Sequence, residues 1–146
     1  MTAGLKTPLY AMMMSLAAMG LATASTTDLT DEVQAEVAGA WIPFSQTAFE
    51  EAQTAGKTIL VDVHASWCTT CAAQEPILES LLQEESLAEV VPMRVDFDAD
   101  REFVEAYQIP RQATILVFQG ETETARSVAE TDAELLRAEI VAGLSS

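Results

Sequence analysis

The run Lys57–Ala65, KTILVDVHA, leads directly into Ser66-Trp67-Cys68-Thr69-Thr70-Cys71. Aliphatic and β-branched residues in succession, without a polar residue at every second place, belong to a strand covered on both faces. The residues that follow Cys68 have helical spacing to about Gln83. A buried strand therefore hands over to a helix, and both cysteines of the chain sit at the junction. A strand of this kind lies inside a sheet with helices above and below it, which makes the chain α/β.

The remaining pattern fits that class. WIPF (41–44) is expected as a short edge strand, because proline is tolerated in a sheet only at an edge or a strand end. Thr47-Ala48-Phe49-Glu50 fits a capping box for a helix ending at Gly56. Pro76 is expected to kink the helix that carries the cysteines. VVPMRVDFD (90–98) and ATILVFQG (113–120) are expected strands, with a short helix capped by Asp100 between them. ARSVA (125–129) is a candidate edge strand. Thr131-Asp132-Ala133-Glu134 fits a second capping box, opening a terminal helix with Leu135, Leu136, Ile140 and Val141 on one face. The sum is a central mixed β-sheet of four to five strands flanked by helices on both faces. At 146 residues the chain suits one domain, taken as 41–146.

The N-terminus reads separately. Lys6, the apolar run from Leu9 to Ala22 and the small residues Ala22-Thr23-Ala24 follow the order of a secretory signal, so 1–24 is expected to be cleaved near Ala24. The alternatives are an uncleaved anchor or a buried helix, although the run is shorter than the roughly 20 apolar residues of a membrane span. Residues 25–40 are expected as a flexible acidic leader. A periplasmic location follows, in which disulfides persist. Loss of Lys6 leaves six basic residues against 23 acidic ones, a net charge of −17. Such a surface repels phosphate backbones and anionic lipid, so no nucleic-acid partner is expected. The chain carries no nicotinamide or flavin fingerprint, and no cofactor is expected.

Two cysteines one helical turn apart admit a staple, a metal site or a redox centre. As a staple the bond is poor, since closing about four residues gives roughly 2 kcal/mol against about 3 for a fifteen-residue loop. Zinc needs four ligands, and His64 is the only histidine. A two-thiolate Cu(I) site or metallochaperone stays open as an alternative. Met12–Met14 fall in the expected signal, and Asp96, Asp98 and Asp100 lack the glycine and distant glutamate of a calcium loop. The redox reading uses every feature present. At a helix N-terminus the N–H groups and the dipole stabilise a thiolate, which makes Cys68 the nucleophile. Cys71, deeper in the helix, is the resolving thiol, the two forming a Cys68–Cys71 redox disulfide. Trp67 gives a flat apolar lip beside them.

ILVD leading into ASWCTTC, Pro76 five residues beyond the second cysteine, and YQI…ATILVF ending at Gly120 together resemble the thioredoxin family from Trp41 to Leu144. The stretch FEEAQTAGKTILVDVHASWCTTC is similar to the periplasmic thioredoxin-like domain of DsbD-type thiol–disulfide reductases. The resemblance implies a thioredoxin fold and a protein-disulfide reductase. Its partners would be periplasmic protein disulfides and a transmembrane electron donor of the DsbD/CcdA type, with the domain itself a monomer. It places a buried acid at Asp62, which would exchange a proton with Cys71, and puts Arg94 where the family keeps a lysine partner for that acid. It makes Gln112, Ala113 and Thr114, with Trp67, the substrate-binding set. Ala113 stands where the family has a cis-proline, and a trans Gln112–Ala113 peptide is expected because a cis bond before alanine costs about 3 kcal/mol. His64 falls at an aromatic position of the family, where a packing role is expected.

For electron flow, Thr69 and Thr70 supply only hydroxyls between the cysteines, and the acidic surface disfavours a further negative charge. A reductant is expected, with disulfide oxidant or isomerase as the alternative.

Overall fold

The computed structural model describes residues 40–146. The expected signal sequence, and all of the acidic leader but Ala40, lie outside the described residues. Five strands form one mixed sheet: β1 (Ile42–Pro43), β2 (Thr58–His64), β3 (Val91–Asp96), β4 (Thr114–Gln119) and β5 (Thr122–Val128), in the order β1-β3-β2-β4-β5. β1 and β2 run parallel to β3, while β4 is antiparallel to β2 and to β5. Four α-helices among the described residues flank it: α1 (Gln46–Thr54), α2 (Thr69–Leu81), α3 (Arg101–Ala106) and α4 (Ala133–Leu144).

β2 has neighbours on both edges and every residue from Ile59 to Val63 is buried, as its uninterrupted run predicts. The two-residue period of the strand divides it between two cores. Ile59, Val61 and Val63 join Phe49, Phe103 and Phe118 beneath α1 and α3. Leu60 joins Leu78, Leu81, Leu136 and Ile140 beneath α2 and α4. Asp62 falls on this second face, within an otherwise aliphatic layer. The edge position of β1, with its Pro43, is as expected.

Helix ends depart from the expected boxes. Ser45, not Thr47, caps α1, its hydroxyl accepting the Ala48 N–H at 3.1 Å. α1 ends at Thr54 with Gly56 at a φ of +68°, and the Gly56 and Lys57 N–H groups bond back to Gln53 and Ala52. That left-handed closing turn is where glycine is needed. Asp100 does not cap α3 through its side chain, because its carboxylate accepts the Asp96 N–H at 2.7 Å instead. Asp132, not Thr131, caps α4, accepting from Glu134 and Leu135. The buried stripe of α4 is Leu136, Ile140 and Gly143, while Leu135 is 55% exposed and Val141 half-buried. Leu136, Ile140 and Gly143 recur at i, i+4 and i+7, and Leu135 lies to one side of that stripe. Pro76 lies inside α2, which continues past it to Leu81. The last strand extends further than expected, across Thr122–Val128.

Candidate active site

Cys68 is the N-cap of α2 and Cys71 lies within its first turn. The two form a disulfide, with Cα atoms 5.3 Å apart. The Cys71 N–H donates to Cys68 Sγ at 3.0 Å, so the sulfur takes the role a serine or aspartate oxygen plays at other helix starts. That bond and the positive end of the helix favour Cys68 as the thiolate, and hence as the nucleophile. In the disulfide form neither sulfur-bearing residue is widely open: Cys68 is 5% and Cys71 2% exposed. Trp67 stands out beside them at 60% exposure, with its indole N–H donating to Asp98 Oδ2 at 2.7 Å. Asp98, which the sequence offers only as part of an incomplete calcium-loop pattern, thus lies beside the site as the acceptor of the Trp67 indole. Asp96, the exposed last residue of β3, accepts the Asp98 and Ala99 N–H groups and shapes the loop that holds this indole acceptor.

Asp62 is 2% exposed, in the layer between β2 and α2. Register explains its partner, because Asp62 and Arg94 are paired across β2 and β3. Arg94 Nε donates to Asp62 Oδ2 at 3.0 Å and Nη1 to Glu75 Oε1 at 3.1 Å. The guanidinium carbon also lies 4.9 Å from the centre of the Trp41 ring. Arg94 is thus held by two carboxylates and an aromatic face, a fixed fork that lysine would not reproduce. Burial pushes the Asp62 carboxyl above the ordinary carboxylate range, and the Arg94 charge offsets only part of that rise. His64, two residues on along the same face, has Nδ1 3.8 Å from Asp62 Oδ2.

The loop before β4 packs on the dithiol through Ala113, which is completely buried with Ala65, Cys68 and Cys71. The Gln112–Ala113 peptide is trans, as expected, since no cis bond occurs among the described residues. Ala113 nonetheless has a φ of +60°, a region that costs an L-residue on the order of 1–2 kcal/mol. Its backbone is tied on both sides: the N–H donates to Val63 O at 2.8 Å, and the C=O accepts from Ala129 N at 2.8 Å. Gln74, fully buried on the inner stripe of α2, adds Nε2 bonds to Ala113 O at 3.4 Å and Glu130 O at 2.8 Å. Thr114 is buried as well, its hydroxyl donating to Arg111 O. Of Gln112, Ala113 and Thr114, only Gln112 reaches the surface. Gln74 and Glu75 lie outside the expected site, although a glutamine recurring with Cys71, Leu78 and Leu81 at helical spacing is a polar residue on a buried stripe.

No group of three or more His, Cys, Asp and Glu that could hold a metal occurs among the described residues. No helix there is long and apolar enough to cross a membrane.

The Thioredoxin family profile matches residues 40–142. The thioredoxin of Chlamydia trachomatis is 33% identical over 92 residues, covering 63% of this chain and 87% of its own length. The thiol:disulfide interchange protein DsbD of a Pseudomonas species is 32% identical over 76 residues, which is 49% of this chain and 13% of that protein. Plain thioredoxins thus align over more of the chain than the DsbD-type domain does. Among solved structures, Trxlp from Edwardsiella tarda has a TM-score of 0.65 at 31% identity, covering 67% of this chain and 95% of its own. A mutant thioredoxin from Halobacterium salinarum shares the fold with a TM-score of 0.61 at 21% identity, over 70% of this chain and 89% of its own. With that profile spanning β1 to α4 and a Cys-x-x-Cys disulfide capping α2, the chain belongs to the thioredoxin family of thiol–disulfide oxidoreductases.

Proposed function

We propose that the protein is an extracytoplasmic reductant, which takes electrons from a membrane donor of the DsbD/CcdA type and passes them to protein disulfides. The observation that carries the direction is the setting of Cys68. Its sulfur accepts one backbone N–H, while the cationic Arg94 and the His64 ring are both turned onto Asp62. A thiolate with so few donors is only modestly stabilised, which keeps the reduced form a willing electron donor. Residues 1–24 supply the route out of the cytoplasm.

In the reaction, the Cys68 thiolate attacks a substrate disulfide, forms one S–S bond and expels one substrate thiolate. Cys71 then loses its proton to the Asp62 carboxylate and attacks Cys68 Sγ, releasing the second substrate thiolate and closing the Cys68–Cys71 disulfide. Trp67 and Gln112 are the surface groups beside this chemistry, and they are the assigned substrate contacts. Beneath them Ala113 packs on the dithiol, and Thr114 holds the loop through its hydroxyl bond to Arg111 O.

Trapping tests the reading. Cys71→Ala keeps the nucleophile and removes the resolving thiol, so mixed disulfides with donor and substrate should accumulate and be released by added thiol. Cys68→Ala should carry few. A Cys71→Ala protein recovered from the periplasm without adducts contradicts the proposal.

A further inference from the structure

His64 is the one histidine of the chain, and its packing alone does not account for its placement. The ring sits at the end of β2 with 23% of the side chain exposed, yet its Nδ1 is buried and has no hydrogen-bond partner. That nitrogen faces Asp62 Oδ2 at 3.8 Å. Asp62 has 3% of its side chain exposed, and its Oδ1 is likewise buried without a partner. The ring therefore spans from a sealed carboxylate to the surface. We propose that His64 relays the proton between Asp62 and solvent during each turn of the dithiol cycle.

The proposal rests on Asp62 being the proton acceptor for Cys71. In the reducing direction Cys71 gives its proton to Asp62 as its sulfur attacks Cys68. Asp62 then passes a proton to His64 Nδ1, and the imidazole releases its Nε2 proton to water. The departing substrate thiolate takes a proton from water, so the cycle balances without a co-reactant. Imidazole is the side chain suited to both halves of such a transfer near neutrality. A gap of 3.8 Å is outside hydrogen-bond range, and small ring movements close such gaps when a substrate is engaged. The surrounding charges leave this route open. Arg94 from β3 also holds Oδ2, and Glu75 from α2 is taken up by Arg94 Nη1. Asp96, the β3 residue in register with His64, has Oδ1 engaged by the Asp98 and Ala99 N–H groups. His64 acts through Asp62 and touches no reacting sulfur, so it is a positioning and relay residue.

The test is the oxidation of the reduced full chain by a peptide disulfide, followed by stopped-flow tryptophan fluorescence from about pH 5 to pH 9. Wild type, His64→Asn and Asp62→Asn are compared, each with increasing free imidazole. In His64→Asn the rate at neutral pH should fall about tenfold, less than the hundredfold or more attached to groups that touch the reacting atoms. Its rising limb should move to higher pH, because without the imidazole Nδ1 the Asp62 proton must leave directly to water or hydroxide. Free imidazole should restore much of the rate in that variant and leave the wild type unchanged. A wild-type limb in His64→Asn, or a uniform slowing without imidazole rescue, overturns the relay. If Asp62→Asn also keeps the wild-type limb, the acceptor role of Asp62 fails and takes the relay with it. If Asp62→Asn loses the limb while His64→Asn keeps it, the relay alone fails. Should His64→Asn not fold, the ring signal of His64 in the wild-type protein should show the Asp62 titration as an inflection that Asp62→Asn removes, and its absence overturns the proposal.

Discussion

Asp62 puts a carboxyl where an aliphatic side chain would suit the layer, and its stability effect follows from the sign of its titration. The folded state holds the Asp62 proton more tightly than the unfolded chain does, because burial raises the carboxyl despite Arg94. Between the ordinary carboxylate range and that raised value, the folded protein binds more protons than the unfolded one, so stability falls as pH rises. Asp62→Asn should therefore raise Tm at neutral pH and lose that advantage as the pH is lowered toward about 4. Thermal melts of the two proteins across that range check it, and a variant less stable at every pH contradicts it. At this scale the sequence is readable where chemistry is local: Cys68, Cys71 and Trp67 declare themselves by spacing. Asp62 and Arg94 need the family resemblance, and the roles of His64 and Glu75 need the strand register and the turn of α2 that bring them to one carboxylate. Asp98 gives no sign in sequence of holding an indole 31 residues away.

The elements themselves are legible because their cause is periodicity. β2 announces itself by an unbroken buried run, and Asp62 interrupts it without ending it. Helix ends are less legible, since Ser45, Thr47, Thr131 and Asp132 are all chemically able caps and only the backbone decides among them. Packing of α4 on the sheet gives a test at this scale. Gly143 lies in the helix, and an alanine there would ordinarily improve helix propensity by about 1 kcal/mol. A Cβ at that position would stand 2.6 Å from Ala125 Cβ and 3.0 Å from Val117 Cβ. Those atoms are rooted in β5 and β4 and cannot swing aside, so α4 must lift from the sheet. Gly143→Ala should then destabilise the fold by about 1–3 kcal/mol, read from urea unfolding midpoints. A gain in stability would mean that α4 does not sit this close to the strands.

For the whole molecule, the design separates the sulfur chemistry from the charges that serve it. The dithiol is bounded by alanines and caps its own helix, whereas the guanidinium and imidazole are directed to the carboxylate in the layer below. The chain also carries a formal charge of −16, which opposes holding another negative charge at Cys68. Both features favour the protein as an electron donor. The most direct measurement is the equilibrium potential of the Cys68–Cys71 pair, obtained by poising the purified protein in thiol–disulfide buffers and quantifying the free thiols. The pair should sit near thioredoxin's potential, about −270 mV; a value above about −180 mV would make the protein an oxidant or isomerase instead of a reductant.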